Sequence, residues 1–431
     1  MIAQSRPLAM IRPPRGQNTG FSLVEVMVGM VIGLMTMIVI MQSYAAFEGQ
    51  KRTTNNNSDT QENGLVAMHT LETDGRMAGF GLITPGGLAC TVMNTSWNDQ
   101  APGLSSAFHA SGTATAADNP AENVAPVSIV DGGAAGASDT ITFTYSTSPS
   151  GGNPAVLINT MTNSDSPTNI PAANAVGFNI DQDLYLVSTP ILSPGTGASV
   201  PCTRLAYTSN PLLPASVNTI YNPVVGHNLF PAGGYPAGTS YVLNMGNFVQ
   251  NQYQVSNNDL TVLDVGPQSI WMRTYGNVAP TPLVLSSNIV NLQAQYGVAV
   301  SNPTPGVSSP PVTCWTNAAG TGCNYAANGD GTTWANPNAA SIMRIKAVRI
   351  AVVARSSLQE KPASGVGAAA ACNATTTAPI AWAVSGVGAT PAPVINLNLP
   401  GDPNANPNWQ CHRYRVYQTI IPLRNIIWAN I

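Results

Sequence analysis

The chain has 431 residues, with 16 Lys and Arg against 19 Asp and Glu, and only 8% of its residues are charged. So few charges leave few helix-stabilising ion pairs, and 39 glycines and 35 prolines favour loops and strands over helices. The net charge of −3 argues against non-specific nucleic-acid binding, so we expect no nucleic-acid partner.

The N-terminal region joins a basic leader to a long apolar run. Residues 1–20 contain three arginines and no acidic residue, and Glu25 is the only ionisable side chain between Phe21 and Met41. A helix of this length spans about 30 Å, the hydrocarbon thickness of a bilayer. Arginines keep their flank in the cytoplasm. The run therefore predicts a single pass through the inner membrane, with the C-terminal domain in the periplasm. A plain membrane anchor is the alternative.

Glu25 needs a cation if the run enters a membrane. A lone carboxylate near the end of an apolar helix costs roughly 2.5–3.5 kcal/mol. A cut between Gly20 and Phe21 would create an amine four positions from Glu25, and the two charges could pair within one chain or between copies. Pairing between copies is a head-to-tail contact, which builds open filaments.

The segment from Gly20 to Glu25 resembles the processing motif of type IV pilins and of type II secretion pseudopilins. The resemblance implies that a prepilin peptidase cuts after Gly20 and then, as a methyltransferase, methylates the amine of Phe21. It also implies that Glu25 docks the subunit into the growing filament.

Three shorter blocks resemble PilW-type minor pilins. They are the Gln-x-x-Tyr-Gly segment at 293–297, the Ala-Val-Arg segment at 347–349 that closes in Arg-Ser, and Leu-Arg-Asn at 423–425. The resemblance implies a minor type IV pilin at the tip or in the priming complex of the pilus, needed for pilus assembly and twitching motility. Other minor and major pilins and a tip adhesin are then the partners. The protein is expected first in the inner membrane and then in the extracellular pilus. A type II secretion minor pseudopilin shares the same motif, and a membrane-tethered periplasmic adhesin or hydrolase is a further alternative.

We predict an α+β fold with a long N-terminal transmembrane and stalk helix packed on a large antiparallel β-rich, pilin-like domain with loop insertions. The predicted parts are a leader peptide at 1–20, a transmembrane and filament-core helix at 21–48, its periplasmic extension at 49–80, and a globular domain at 81–431. Within the last part we expect an insertion or subdomain at about 98–240. Leu65, Met68 and Leu71 recur at helical spacing, which predicts a helix face packed on the globular domain.

Six cysteines follow the apolar run, and in an oxidising compartment an even number predicts disulfides. The short separations favour Cys314 with Cys323, and then Cys372 with Cys411, although six cysteines allow fifteen pairings. The candidate disulfide cysteines are Cys90, Cys202, Cys314, Cys323, Cys372 and Cys411.

The sequence predicts no enzyme and no cofactor. Its four histidines, His69, His109, His227 and His412, form no metal-binding or catalytic pattern. Oxygen side chains alternate at Asp181 and Asp183 and along residues 402–408, which suits calcium. The second stretch lacks the turn glycine and the bidentate glutamate of a calcium loop, so we expect turns and no metal.

Seven basic residues gather in two strand-like segments near the C-terminus. They form either a solvated face with structural ion pairs or a binding face for a neighbouring pilin or an acidic partner. These residues are Arg344, Lys346, Arg349, Arg355, Arg413, Arg415 and Arg424.

Overall fold

A computed structural model describes the fold. It describes residues 20, 22–84, 87–88, 92–94, 97–98, 108–109, 122–123, 125–148, 154–161, 172–173, 185–188, 201–205, 234–244, 248–265, 281–301, 309–320, 322–323, 334–335, 337, 339–360, 372, 374–382, 393–399, 402 and 404–428. The chain divides into two units, Met1–Asn55 and Asn56–Ile431.

Helix α1 (Leu23–Met77) has 55 residues, which gives a length of about 80 Å. It begins after Ser22, whose carbonyl accepts hydrogen bonds from the backbone N–H groups of Glu25 and Val26. Past its end, Gly79 and Gly81 have φ values of 79° and 73°, a left-handed conformation that glycine adopts without strain. Two short helices, α2 (Ala339–Arg344) and α3 (Arg424–Trp428), lie near the C-terminus, and a 3-10 turn covers Trp409–Cys411.

The described strands are β1 (Ile83–Thr84), β2 (Gly87–Leu88), β3 (Val92–Asn94), β4 (Trp97–Asn98), β5 (Phe108–His109), β6 (Glu122–Asn123), β7 (Val127–Val130), β8 (Thr140–Ser146), β9 (Ala155–Val156), β10 (Tyr185–Ser188), β11 (Pro201–Leu205), β12 (Tyr241–Asn244), β13 (Phe248–Ser256), β14 (Asp259–Asp264), β15 (Leu283–Ser287), β16 (Ile289–Ala299), β17 (Val312–Thr316), β18 (Ile345–Arg355) and β19 (Tyr414–Pro422).

These strands form three larger sheets and two hairpin-sized ones. The larger sheets have the strand orders β6-β3-β11-β10-β12-β9, β15-β14-β13-β8-β7 and β17-β16-β18-β19, and the small ones pair β1 with β2 and β4 with β5. Every described pairing is antiparallel except the parallel pair of β3 and β11. A long helix followed by antiparallel sheets confirms the predicted α+β class.

The second half of α1 packs in the main core through small residues. Ala67, Met68 and Leu71 are buried there, whereas Leu65 is 61% exposed, so the predicted buried face is wrong at Leu65. Gly64 lies on the buried face instead, and the ring of Tyr417 packs so closely there that a Cβ atom would lie 2.1 Å from it. The apolar pattern missed this face because a glycine that admits a ring has no hydrophobic side chain to count.

This half of α1 is fastened near both of its ends. Asp59 accepts a hydrogen bond from the Ser357 hydroxyl at 3.1 Å near the start of the segment. Beyond the C-terminal end of α1, the Asn425 amide donates to the carbonyls of Met77 and Ala78 at 3.2 and 3.0 Å. The helix is therefore held at one end by residues that follow β18 and at the other by α3.

The four-stranded sheet is covered on both faces. All residues of β16 and all but the last of β18 are buried. One face contributes Val348, Ile350 and Val352 to the main core, and the other packs Ala351 and Val353 against Trp382 and its neighbours. Coverage on both sides explains why β18 carries apolar residues on both faces, whereas β16 buries the polar residues Asn291, Gln293 and Gln295 on one face.

The segment Thr140–Tyr145, where apolar and polar residues alternate as in a half-buried strand, lies in β8. Two residues of the strand-like basic segments lie in helices instead, because α2 ends at Arg344 and α3 begins at Arg424. Most of the predicted insertion at about 98–240 lies outside the described residues, and the insertion and the domain boundaries remain predictions.

Candidate functional site

The first half of α1 exposes apolar side chains on every side. The large hydrophobic residues from Leu23 to Phe47 are 46% to 75% exposed. Among the described residues, α1 is the one helix that is long and apolar enough, by length and composition, to cross a membrane. An apolar helix without a polar face needs lipid or other apolar protein around it.

Glu25 lies exposed in the first turn of α1. The positive end of the helix dipole favours a carboxylate there. No ion pair joins Glu25 to a basic side chain of the described residues. Gly20 is exposed and Phe21 lies outside the described residues, so cleavage, methylation and docking at these positions remain predictions.

The two predicted local disulfides are confirmed. Cys314 pairs with Cys323 and Cys372 pairs with Cys411, across sequence separations of 9 and 39 residues. Cys90 lies outside the described residues, and the structure describes only the backbone of Cys202. Pairing of these two cysteines is untested.

Three of the seven basic residues that were predicted on the surface are buried. For these three residues, both the solvated face and the binding face are wrong. Arg344 donates to the carbonyls of Ala299 and Cys323 at 2.9 and 3.1 Å and lies 5.7 Å from the ring centre of Trp334. Lys346 is 2% exposed. Every residue of β18 except the last is kept from solvent because both faces of its sheet are covered, and the sequence alone did not reveal the second cover.

Arg349 is enclosed by aromatic rings. Its guanidinium lies 4.9 Å from the ring centre of Trp315 and 4.5 Å from that of Trp382, and Nε donates to Gln295 Oε1 at 2.7 Å. Burial lowers the pKa of Arg349 to about 10. Two indole faces and an amide oxygen therefore stabilise this charge where a carboxylate was expected.

Lys346 gives a test of buried charge. Its Nζ makes no hydrogen bond to the described residues, and burial lowers its pKa to about 8. Because the folded state disfavours the ammonium, Lys346→Met is expected to raise the free energy of unfolding at pH 7 by about 2 kcal/mol. The gain should shrink as the pH rises from about 8 to above 10, where the native lysine is neutral in both states. Urea unfolding at pH 7 and at pH 10 measures this gain in the free energy of unfolding, and Lys51→Met, at an exposed lysine, is the control. A less stable Lys346→Met chain contradicts it.

Two carboxylates join elements that are distant in the sequence, and no local pattern predicts either of them. Asp74 on α1 accepts hydrogen bonds from Tyr145, Asn251 and Tyr253 at 3.1, 2.6 and 2.5 Å, which ties the helix to β8 and β13. Burial, followed by the Asp74 carboxylate, raises the pKa of both tyrosine hydroxyls. Asp139 joins the five-stranded sheet to the four-stranded one.

Asp139 lies at the end of the turn between β7 and β8 and pairs with β16. Its backbone N–H donates to the Leu292 carbonyl at 2.7 Å, and its carboxylate accepts from the N–H groups of Gly132 and Ala294 at 2.8 Å each. Burial raises its pKa to about 7 despite these two hydrogen bonds, and nearby Asp131 adds a smaller increase.

The raised pKa of Asp139 predicts a pH-dependent stability. The folded state holds the proton to about pH 7 and the unfolded chain to about pH 4, so stability falls as the pH rises between these values. The steepest slope is about 1.4 kcal/mol per pH unit. Urea unfolding between pH 4.5 and 7.5 measures it. In Asp139→Asn, which keeps one acceptor and cannot ionise, this slope should be absent. An unchanged slope in Asp139→Asn would show that other groups cause the pH dependence of stability.

Residues 402 and 404–408 form turns, as expected. The side-chain oxygens of Asp402 and Asn406 accept backbone N–H groups two residues further on, and that of Asn404 accepts the N–H of Asn258. Asp181 and Asp183 lie outside the described residues. Among the histidines, His69 is exposed and His412 is buried, with its Nδ1 2.9 Å from the Ser356 carbonyl.

Residues 252–425 match the family model of PilW, Type IV Pilus-assembly protein W. The match indicates a protein related to type IV pilus assembly. No curated protein and no solved structure matches the chain.

The PilW match covers less than half of the chain, from β13 to the start of α3. It includes both described disulfides, the enclosed Arg349 and the edge strand β19. The apolar helix and the Gly20–Glu25 motif lie outside it, so the two signals come from separate parts of the sequence.

Proposed function

We propose that this protein is a minor type IV pilin that prepilin peptidase cuts after Gly20 and methylates at Phe21. Its apolar helix then enters the pilus, and Glu25 docks it against a neighbouring subunit in the tip or priming complex. The observation that carries the proposal is the joint presence of the PilW match at 252–425 and a processing motif directly before an exposed apolar helix. Neither signal depends on the other.

Glu25 supports the docking part of the proposal. A carboxylate in an apolar surrounding needs a cation to pair with, and the free amine of a cut chain supplies it. An amine from the next subunit gives the contact a direction, so that each added copy offers the same contact again. The apolar side chains of α1 from Leu23 to Phe47 then exchange lipid for neighbouring helices.

The proposed protein is neither an enzyme nor a carrier of a cofactor. Its partners are the peptidase, major pilins, other minor pilins and a tip adhesin. We place it first in the inner membrane, with the N-terminus in the cytoplasm and the domain in the periplasm, and then in the extracellular fibre.

Mass spectrometry tests the proposal directly. Protein from membranes and from sheared fibres should lack residues 1–20 and carry one methyl group on the amine of Phe21. In a Gly20→Leu chain the first twenty residues should stay attached, and the fibre fraction should lose the protein. An intact leader in the native chain would overturn the proposal.

The PilW match favours the pilus over the type II secretion alternative. Deletion of the gene is therefore expected to abolish twitching motility and to leave protein secretion intact. Lost secretion with normal pili would favour the pseudopilin function.

A further inference from the structure

Charge is distributed unevenly along the chain. Residues 21–288 contain 5 Lys and Arg against 16 Asp and Glu, a net charge of −11, whereas residues 289–431 contain 8 against 3, a net charge of +5. The C-terminal part that carries the four-stranded sheet is therefore basic in an acidic protein.

Only part of this positive charge can reach a partner. Arg344 of α2 and both Lys346 and Arg349 of β18 are buried. Arg413 is exposed but pairs with Glu360 at 2.5 Å. Arg415 and Arg424 are exposed, and neither forms an ion pair with a described residue. Among the described basic residues of this part, the exposed positive charge without an ion pair therefore lies along β19 and just after it.

β19 is an edge strand whose outward hydrogen-bonding groups can be assigned. The N–H of Ser356 donates to the Arg413 carbonyl at 2.8 Å, and the N–H of Leu423 donates to the Lys346 carbonyl at 2.9 Å. With the antiparallel register, these bonds turn the odd-numbered backbone groups of β19 towards β18. The even-numbered groups, at Val416, Gln418 and Ile420, point outward.

No described strand pairs with this outer edge. Ile420 is 59% exposed, and Gln418 is exposed as well. Pro422 stands at an outward position, where its missing N–H costs no ladder hydrogen bond. Among the described strands the edge is therefore unpaired, a row of backbone donors and acceptors that can template another strand.

The two faces of β19 differ in chemistry. On α1, the Thr60 carbonyl accepts a hydrogen bond from Tyr417, and the Glu72 carboxylate accepts one from Thr419. The odd-numbered residues of β19, including Arg415, therefore share the face towards the helix. Ile420 lies on the opposite face, beside Gln418, whose side chain accepts a hydrogen bond from the N–H of Trp382. An added strand would meet a positive charge on one face and an apolar side chain on the other.

We propose that the outer edge of β19 docks an extended acidic segment of a partner polypeptide, which adds to the sheet as a fifth strand. Backbone hydrogen bonds to Val416, Gln418 and Ile420 hold the segment. A carboxylate beside Arg415 and an apolar side chain beside Ile420 select its sequence. A second copy of β19 is a poorer occupant, because it brings like charges together. This proposal does not rest on the proposed pilin function.

Binding of synthetic peptides to the purified full-length chain in detergent tests the proposal. The probes are two fluorescent eight-residue peptides, one of alternating valine and glutamate and one of alternating valine and lysine. Fluorescence anisotropy should show binding at least about tenfold tighter for the glutamate peptide, with affinity that falls as salt rises.

Two variants make the test specific. Ile420→Pro removes an outward N–H that bonds to no described strand, and should weaken binding by at least about tenfold, whereas Ile420→Thr keeps the N–H and should change it by less than about threefold. Arg415→Glu should reverse the preference between the two peptides. Circular dichroism of each variant checks that the sheet is intact.

Three outcomes would overturn the proposal. They are equal affinity for the two peptides, unchanged binding by a folded Ile420→Pro chain, and a concentration-dependent dimer that Ile420→Pro dissolves, which would assign the edge to a second copy. Peptide binding is measured on the isolated chain, so its failure is distinguishable from failure of the cleavage and methylation experiment.

Discussion

A Glu25→Ala chain is expected to be cut after Gly20 at the normal rate and yet to be almost absent from fibres. The cut depends on the residues around Gly20, whereas docking requires a carboxylate to meet the amine of a neighbouring subunit. Loss of that pairing is expected to cost about 2.5–3.5 kcal/mol, the cost of one lone charge in an apolar surrounding, which corresponds to roughly hundredfold less incorporation. The ratio of this protein in sheared fibres to that in membranes measures the effect.

Glu62→Ala is the matched control for this experiment. Glu62 is an exposed carboxylate on the same helix, 21 residues beyond the end of the apolar run at Met41, so its removal should leave the fibre-to-membrane ratio unchanged. A normal ratio in Glu25→Ala would remove the docking role. Loss of cleavage in that variant would instead assign Glu25 to recognition by the peptidase.

Replacing both Cys372 and Cys411 by serine is expected to lower the free energy of unfolding by about 4 kcal/mol. The bond closes a loop with a sequence separation of 39 residues, and the chain-entropy estimate grows with loop length. Folded domains are typically stable by only about 5–15 kcal/mol, so the loss is a large part of the total. Urea unfolding of the native and variant chains, both without reductant, measures the difference.

The shorter disulfide provides the comparison. Serine at both Cys314 and Cys323, whose separation is 9 residues, is expected to cost about 3 kcal/mol. The double variant at 372 and 411 should also change the indole fluorescence of Trp382. Segment 374–382, which ends at this tryptophan, is held next to the disulfide because Thr375 donates hydrogen bonds to the carbonyls of Gln410 and His412. A larger loss from the shorter loop would show that strain or packing outweighs chain entropy.

The long helix, the antiparallel strands and two of the cysteine pairs could be predicted from the sequence because each leaves a local pattern. The 21 residues from Phe21 to Met41 are mostly apolar and have one ionisable side chain, which leaves few alternatives to a membrane helix, and alternation at Thr140–Tyr145 fits a half-buried strand. A pair of cysteines nine residues apart joins within one loop. Such signals depend on neighbours in the sequence, and the fold preserves them.

The environment of the charged residues could not be predicted, because it depends on contacts between distant segments. Arg349 lies between tryptophans 34 residues before it and 33 after it in the sequence, at 315 and 382. Asp139 bonds to β16 from the turn between β7 and β8, about 150 residues away. No local spacing distinguishes these side chains from solvated ones, so Lys346 and Arg349 of β18 were predicted on the surface and are buried.

The fastening of α1 at Asp59 and at Met77 has a mechanical consequence. Tension applied at residue 56 along the helix axis would act in shear on all of the contacts that α1 makes between these two points. Contacts that share a load in shear resist greater force than contacts that peel apart one after another. The segment from Asn56 to Met77 is thus suited to transmit a sustained pull to the sheets without unravelling from either end.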